Sequence, residues 1–217
     1  MKPCDLGLVA CGRRAGEQLA QMLLRLGYRV AAVECSDPRG AAEAARALRE
    51  AGLEAYTRAT VEAERWQDAV RQVARLSLSY DLMAVKPRSA EAARLAARDP
   101  RVSLVTLTPS MARYMDKSQA LMLREGGSVV ELRLLPLLRG GDPRAALRGI
   151  MIIARRASAY DAAFTVTSGA RSPWQLWPPA SARALLEAFG VPPQLALLAL
   201  TAYCRKALDK ALAGEGR

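Results

Sequence analysis

The sequence has no histidine among its 217 residues, and this absence removes several classes of active site. Histidine is the usual general base near neutral pH and a ligand in most catalytic zinc sites. Ser-His and Cys-His nucleophile pairs are therefore excluded, and so are most binuclear metal hydrolase sites. Catalysis would have to rest on carboxylates, lysine, cysteine or an RNA partner. The sequence also lacks a Gly-x-Gly-x-x-Gly fingerprint and a Walker loop.

Aromatic residues and closely spaced cysteines are scarce as well. Phe, Trp and Tyr make up 5% of the chain, which argues against a β-sandwich and favours a helix-rich fold. The four cysteines, Cys4, Cys11, Cys35 and Cys204, form no C-x-x-C pair, so a zinc knuckle or ribbon is not expected. Cys4, Cys11 and Cys35 lie in or beside predicted strands, where cysteine usually acts as a small core hydrophobe.

Long apolar runs are also missing. The N-terminus does not resemble a secretory signal, and no window is long and apolar enough to span a membrane. We therefore expect an intracellular, cytoplasmic protein that does not associate with membranes.

Positive charge is what the chain has in excess. Lysine and arginine outnumber acidic residues by 32 to 21, which gives a net charge of +11. Such an imbalance indicates an anionic partner, either nucleic acid, an anionic membrane or a phosphorylated ligand. Arginine strongly outnumbers lysine, and its planar fork suits bidentate phosphate contacts. Compositional bias in an alanine- and arginine-rich chain explains the excess equally well.

Strand and helix patterns alternate along the chain, at about thirty residues per unit, which is typical of a parallel α/β fold. The predicted strands are residues 6–10, 29–35, 53–61, 80–85, 102–107, 128–135 and 163–167. Seven such units with short connections favour a TIM-like (β/α) barrel, with a doubly wound sheet as the alternative. Only helices follow, at 180–189 and 193–213, so an eighth strand is missing or irregular. We predict one domain over residues 1–213 and a frayed C-terminus at 214–217.

The stretch from 162 to 179 combines several features of a site that contacts a polyanion. A buried strand ends in Ser168-Gly169-Ala170, three small residues that allow a sharp turn with exposed backbone N–H groups. Arg171 follows at once, and Trp174 and Trp177 lie in a proline-stiffened loop. The alternative is an ordinary strand-to-helix turn in which both tryptophans pack in the core. Trp174 could also stack on a base.

Basic residues recur where the predicted strands end, which is the ligand-binding side of parallel α/β folds. They are Arg13, Arg14, Lys86, Arg88, Arg113, Lys117, Arg139 and Arg171. Few carboxylates lie there: Glu34, Asp37, Asp116 and Asp142, of which Asp142 is better explained as a helix cap. Glu131 alternates with Arg133 inside the sixth strand. We interpret Glu131 as one half of an internal ion pair with an arginine or lysine.

The helix predicted from 142 to 160 carries an arginine stripe. At 100° per residue, one face gathers apolar side chains: Ala146, Leu147, Ile150, Ile153, Ala154 and Ala157. Arg144, Arg148 and Arg155 fall on roughly the opposite face, with no acidic residue at i±4 to pair them. Such a stripe could follow a phosphate backbone, and a solvated basic face is the commoner meaning.

Two segments resemble the family of ribonuclease P protein component 3. They are Val-Glu-Leu-Arg-Leu-Leu-Pro-Leu-Leu at 130–138 and Val-Thr-Ser-Gly-Ala-Arg at 166–171. The similarity is best from about residue 101 to 200, and includes Asp116-Lys117-Ser118 and the helix around Leu185-Leu186. The first half agrees in rhythm and length only. Trp177 stands where the family commonly has an arginine, so the family's contact at that place is not carried over.

The resemblance implies a TIM-like barrel related to metal-dependent amidohydrolases but without their metal ligands. It implies a non-catalytic subunit of the ribonucleoprotein that removes the 5′ leader from precursor tRNA. The RNA subunit would hold the Mg²⁺ ions and perform the cleavage, so no cofactor is expected on the protein itself. The implied partners are ribonuclease P RNA, precursor tRNA through the complex, and ribonuclease P protein component 2.

Together, these observations predict an RNA-binding surface with no catalytic or metal-ligating residue on this chain. Its predicted residues are Arg13, Arg14, Lys86, Arg88, Lys117, Arg139, Arg144, Arg148, Arg155, Ser168, Gly169, Ala170 and Arg171. The alternative is a metal-free barrel enzyme that acts on a phosphorylated small molecule, bound at the turn after strand seven. The two hypotheses predict different residues at the ends of the strands, because an enzyme needs a positioned acid or base at the C-terminal mouth of the barrel.

Overall fold

A computed structural model describes residues 2–139 and 141–213, and the predicted frayed end, 214–217, lies outside them. Seven strands form one parallel sheet in the order in which they follow along the chain. They are β1 (Cys4–Val9), β2 (Val30–Glu34), β3 (Glu54–Ala63), β4 (Leu82–Pro87), β5 (Leu104–Thr106), β6 (Val129–Arg133) and β7 (Phe164–Thr167). The sheet curls into a nearly closed, TIM-like barrel, which confirms the predicted fold class.

Helices follow the strands and cover the outside of the barrel. They are α1 (Arg13–Arg25), α2 (Pro38–Glu50), α3 (Trp66–Leu76), α4 (Ala90–Arg98), α5 (Lys117–Gly126), α6 (Leu135–Leu138), α7 (Pro143–Ala159), α8 (Pro179–Ala188), α9 (Pro193–Ala199) and α10 (Ala202–Ala213). Short 3-10 helices span Pro109–Tyr114 and Pro173–Gln175. Among the described residues no helix combines the length and the apolar character that crossing a membrane would require.

Three predicted boundaries are corrected. β3 runs on to Ala63, beyond the predicted strand end at residue 61, because it pairs with β4 as far as Pro87, and the next helix begins at Trp66. The short helix α6 was expected to be the end of a strand and a loop. The predicted helix 193–213 is broken in two, because the carbonyl oxygen of Leu200 accepts a hydrogen bond from the N–H of Cys4 in β1 (3.0 Å).

The barrel closes between β1 and β7 without an eighth strand in the described part of the chain. The N–H of Val9 donates to the carbonyl of Ala170 (2.8 Å), just beyond the end of β7. In this seam between β1 and β7, the carboxylate of Asp5 also accepts a hydrogen bond from the backbone N–H of Ser168 (3.2 Å). Gly7 allows this approach, since a Cβ there would lie 2.6 Å from the Cβ of Thr167. The irregular closure that the sequence predicted is thus made by a few seam contacts.

All four cysteines are paired, which corrects the expectation that Cys4, Cys11 and Cys35 act as small core hydrophobes. Cys4 of β1 bonds to Cys204 of α10, and Cys11 bonds to Cys35. The Cα separations are 6.4 and 5.3 Å, within the range that a disulfide spans. Sequence spacing did not reveal the pairs because the fold brings them together: Cys11 and Cys35 follow neighbouring strands, and α10 packs against the start of β1.

Candidate nucleic-acid interface

The interior of the barrel is filled by an ion pair between β3 and β6. Arg58 and Glu131 are both fully buried, and two hydrogen bonds of 2.6 Å join Nη1 to Oε1 and Nη2 to Oε2. Arg58 also donates from Nη1 to the carbonyl of Leu6 (2.6 Å). The prediction of an internal ion pair at Glu131 is confirmed. Arg58 was missed as its partner, although the available signal was that Arg58 is the one charged residue between positions 55 and 61.

A second pair, Glu34 and Arg133, lies next to the first, toward the mouth of the barrel. Arg133 donates to the carboxylate of Glu34, and its Nε lies 3.4 Å from Glu131. The hydroxyl of Thr60 donates to Glu34 as well (2.7 Å). Two arginines and two glutamates therefore form one neutral network from the centre of the barrel to its rim.

This network holds its carboxylates ionised. Burial alone would raise the pKa of Glu131, but the charges of Arg133 and Arg58 and the hydrogen bonds from Arg58 outweigh it, so the pKa is lowered. The pKa of Glu34 is lowered in the same way, because Arg58 and Arg133 overcome its desolvation. A general base works best with a pKa near the operating pH. Neither glutamate has such a pKa, and their oxygens are already taken by arginines.

The Ser168-Gly169-Ala170 turn is buried, which corrects the prediction that it exposes backbone N–H groups. The N–H of Ser168 donates to Asp5, that of Ala170 to the Ser168 hydroxyl (3.0 Å), and that of Arg171 to Oε1 of Gln175 (2.8 Å). Ser168 and Ala170 are almost completely inaccessible to solvent. The turn seals the seam between β1 and β7, so its small residues serve close packing. Of this motif, only the side chain of Arg171 is exposed.

Several of the predicted rim cations have carboxylate partners, although few carboxylates were expected at the strand ends. Arg13 contacts Glu17 (2.8 Å) and Glu50 (2.6 Å). Lys86 and Arg88 share Glu62, at 2.7 and 3.3 Å. These pairs are largely exposed and formed by long flexible side chains, so they hold their partners weakly. Part of their positive charge is nevertheless neutralised locally, which weakens their case as phosphate ligands.

Another set of rim cations is solvent-exposed and forms no salt bridge within residues 2–139 and 141–213. These are Arg14, Lys117, Arg139 and Arg171. The nearby aspartates are engaged as helix caps: Asp37 accepts from the N–H of Gly40 (2.8 Å), Asp116 from Gln119 (2.7 Å) and Asp142 from Arg144 (2.9 Å). The cap predicted at Asp142 is confirmed. The rim therefore combines exposed positive charge with carboxylates that have structural roles.

Helix α7 extends this positive charge down the side of the barrel. Arg144, Arg148 and Arg155 are all exposed, as predicted, and no salt bridge pairs them in the described part of the chain. Eleven residues at 1.5 Å each put about 16 Å between the first and last of them along the axis. Leu147 was predicted on the buried face but is 41% exposed, so the apolar face is narrower than expected.

The two tryptophans of the loop after β7 have opposite environments. Trp177 packs against the core, and its carbonyl accepts from the hydroxyl of buried Tyr28 (2.8 Å). Trp174 is 86% exposed, so core packing is wrong for this residue. A further aromatic site was missed: the guanidinium of exposed Arg113 lies 4.8 Å from the centre of the ring of Tyr114, which is partly buried. In the sequence, Arg113 was singled out only for its positive charge after a predicted strand.

The fold and site define a barrel protein whose interior is closed by internal ion pairs and whose outer surface is basic. A model of the family "RNase P subunit p30" matches residues 9–214. The chain is 34% identical over 188 residues to ribonuclease P protein component 3 of Aeropyrum pernix, covering 84% of this chain and 87% of that protein. The chain therefore belongs to the ribonuclease P p30 subunit family.

A solved structure supports the fold independently. One chain of a cryo-EM structure of archaeal ribonuclease P with mature tRNA superimposes with a TM-score of 0.74, covering 96% of this chain and 90% of that one. Sequence identity is 16%, so the likeness concerns the fold. The resemblance recognised in the second half of the sequence is confirmed and extends over nearly the whole chain.

Proposed function

We propose that this chain is a non-catalytic subunit of ribonuclease P. In that role it binds and stabilises the catalytic RNA, which removes the 5′ leader from precursor tRNA. The observation that carries the proposal lies at the mouth of the barrel, where barrel enzymes place their catalytic groups. There the carboxylate of Glu34 is bound by Arg133, so it is not free to act as an acid or a base. Family membership and the net charge of +11 support it.

The proposed RNA surface joins the exposed cations of the rim to the arginine stripe of α7. Arg171, Arg139, Lys117 and Arg14 would contact phosphates at the rim, and α7 would follow a backbone along the side of the barrel. Three further cations could contact phosphates only if they broke or shared their salt bridges with carboxylates: Arg13, Lys86 and Arg88. Ser168, Gly169 and Ala170 would act indirectly, by holding Arg171 in position.

Within this proposal the catalytic metal belongs to the RNA. Mg²⁺ held by the RNA subunit would support cleavage, and the protein would lower the Mg²⁺ concentration that the RNA needs by neutralising phosphates. Ribonuclease P protein component 2 is the proposed protein partner, and the cytoplasm is the proposed location. The alternative, a metal-free enzyme for a phosphorylated small molecule, finds no support in the mouth of the barrel, where Glu34 is bound by Arg133.

Reconstitution of precursor-tRNA cleavage tests the proposal. The cognate RNA is assayed with and without this protein at limiting Mg²⁺, and binding of the protein to that RNA is measured at moderate salt. We expect the protein to bind and to restore cleavage at Mg²⁺ concentrations where the RNA alone is inactive. A protein that neither binds the RNA nor changes cleavage would refute the proposed function.

A further inference from the structure

Trp174 is an indole held out into solvent by a rigid loop. Its side chain is 86% exposed, whereas large aromatic side chains are normally mostly buried. It lies in the 3-10 helix Pro173–Gln175, beyond the C-terminal end of β7. Exposed tryptophans on ordered loops commonly contact a ligand, because one flat apolar face gives a large contact area with few rotatable bonds.

The loop on both sides of Trp174 is fixed to the body of the protein. On one side, Oε1 of buried Gln175 accepts from the N–H of Arg171 (2.8 Å). On the other, Leu176 packs in a core cluster with Ala170, and the carbonyl of Trp177 is held by Tyr28. The residue immediately before Trp174 is Pro173, whose ring fixes its own backbone φ angle. Little conformational freedom remains to be lost in the backbone when this indole binds a ligand.

Polar and positively charged residues lie near Trp174 in the loop and on the adjoining helix. Its loop neighbours are Ser172, Pro173 and buried Gln175, and exposed Arg171 precedes it by three residues. The 3-10 helix packs against α1, whose exposed side carries Arg14. An anchor for a protein partner usually stands among other apolar contacts that exclude water. A single aromatic ring among cations instead matches the platforms on which unpaired bases stack while arginines hold the backbone.

From this arrangement we propose that Trp174 stacks on an unpaired base of the bound RNA, with Arg171 contacting the adjacent phosphate. This inference rests on the proposed function and adds a contact to single-stranded RNA. The turn Ser168-Gly169-Ala170, buried against Asp5, sets the position of both side chains. Stacking on the flat face of the indole would accept any of the four bases, because every base has a π-face.

Affinity measurements on three variants test the proposal. Trp174→Ala, Trp174→Phe and Trp174→Leu are compared with the wild-type chain for binding to cognate ribonuclease P RNA over a series of salt concentrations. Loss of one stacked base weakens binding by roughly 5- to 150-fold. We expect this loss in the alanine variant, a near wild-type affinity with phenylalanine, and an intermediate one with leucine. The salt dependence stays unchanged, because no charge is removed.

Leu78 offers a matched control. It is 87% exposed, in the turn between α3 and β4 at the opposite end of the barrel. Leu78→Ala removes a comparably exposed apolar side chain and is expected to leave RNA affinity unchanged. Indole fluorescence gives a second readout: a single-stranded oligonucleotide should quench the wild-type emission, and this quenching should be absent in Trp174→Phe although Trp66 and Trp177 remain.

The outcomes separate this inference from the function on which it rests. If the wild-type chain does not bind the RNA, the proposed function fails and the stacking site fails with it. If the wild-type chain binds and Trp174→Ala binds equally well, only the stacking site is overturned. If Trp174→Ala keeps its RNA affinity but no longer binds ribonuclease P protein component 2, Trp174 is a protein anchor and the proposal is wrong.

Discussion

Arg58 of β3 and Glu131 of β6 face each other across the interior of the barrel and form two hydrogen bonds of 2.6 Å, with neither side chain in contact with solvent. Removing Arg58 leaves the network of two arginines and two glutamates with one unbalanced negative charge, and breaking a buried pair in this way costs about 3 to 5 kcal/mol. We therefore expect Arg58→Met to lower the free energy of unfolding by that amount. Chemical denaturation followed by circular dichroism at pH 7 measures it.

Two controls show whether the loss of unfolding free energy comes from the unbalanced buried charge. In Arg58→Met/Glu131→Leu both charges are gone, and we expect most of the stability to return, since apolar replacements of buried pairs are often neutral. Arg183→Ala removes one half of a half-exposed i,i+4 pair with Glu187 on α8 and should change stability little. A double variant as unstable as Arg58→Met would show that shape, and not charge, explains the loss.

The lowered pKa values of Glu131 and Glu34 predict sensitivity to acid. Both carboxyl groups have a lower pKa in the folded chain than in the unfolded chain, where it is about 4.3. Their contribution to stability is complete above that value and is lost as pH falls through the folded pKa values. We expect Glu34→Gln to reduce the acid-induced loss of stability. Unfolding free energies measured from pH 3 to pH 7 test this, and parallel curves for the two proteins would contradict it.

The pKa of Asp5 is shifted in the opposite direction from those of Glu131 and Glu34. Burial raises its pKa in the folded state, despite hydrogen bonds from Ser168 and Gly7 that favour the ionised form. Its contribution to stability is therefore greatest at low pH and declines as pH rises from the unfolded value, near 3.9, through the folded pKa. We expect Asp5→Asn to gain stability relative to the wild type over that rise. The same pH series measures the difference, which should be constant if Asp5 has an ordinary pKa.

The order of strands was readable from the sequence because buried parallel strands are short apolar runs separated by helix signals. Gly27 and Gly52 end α1 and α2 with φ values of 89° and 98°, which other residues rarely adopt, so these helix ends were visible too. The motifs at 130–138 and 166–171 also identified the family. In the barrel, the segment around Glu131 and the turn at Ser168 lie close together, since the hydroxyl of Thr167 donates to Glu131.

The site could be predicted only in part, because contacts across the barrel leave no local pattern. Arg58 and Glu131 are 73 positions apart, and no local sequence pattern around either residue indicates the other as its partner. The turn at Ser168 was expected to be open because its neighbour in the seam, Asp5, lies 163 positions earlier. Exposure of the arginines on α7 was predicted correctly, since a helix face follows from spacing alone.

The disulfides predict a graded effect of reduction. Cys4 and Cys204 close a loop of 200 positions, whereas Cys11 and Cys35 close one of 24. In the chain-entropy model, the long loop stabilises by roughly 5 kcal/mol and the short one by roughly 3 kcal/mol. Cys4→Ala/Cys204→Ala should therefore lose more stability than Cys11→Ala/Cys35→Ala under oxidising conditions. Denaturation with and without reductant measures this, and a wild-type chain indifferent to reductant would show that the thiols are not bonded.

The salt dependence of RNA binding distinguishes Arg171 from Arg13. Both are exposed rim arginines, but Arg13 is neutralised by Glu17 and Glu50, whereas Arg171 forms no salt bridge in the described part of the chain. A phosphate contact releases about one counterion, so Arg171→Ala should weaken binding and reduce the slope of log K against log salt by about one unit. Arg13→Ala should change the slope less, because its charge is already shared with two carboxylates. Filter binding to the cognate RNA between 50 and 200 mM salt, a range in which such slopes are steep, compares the two. An unchanged slope in Arg171→Ala would exclude this side chain from the RNA surface and leave the α7 arginines as the main phosphate contacts.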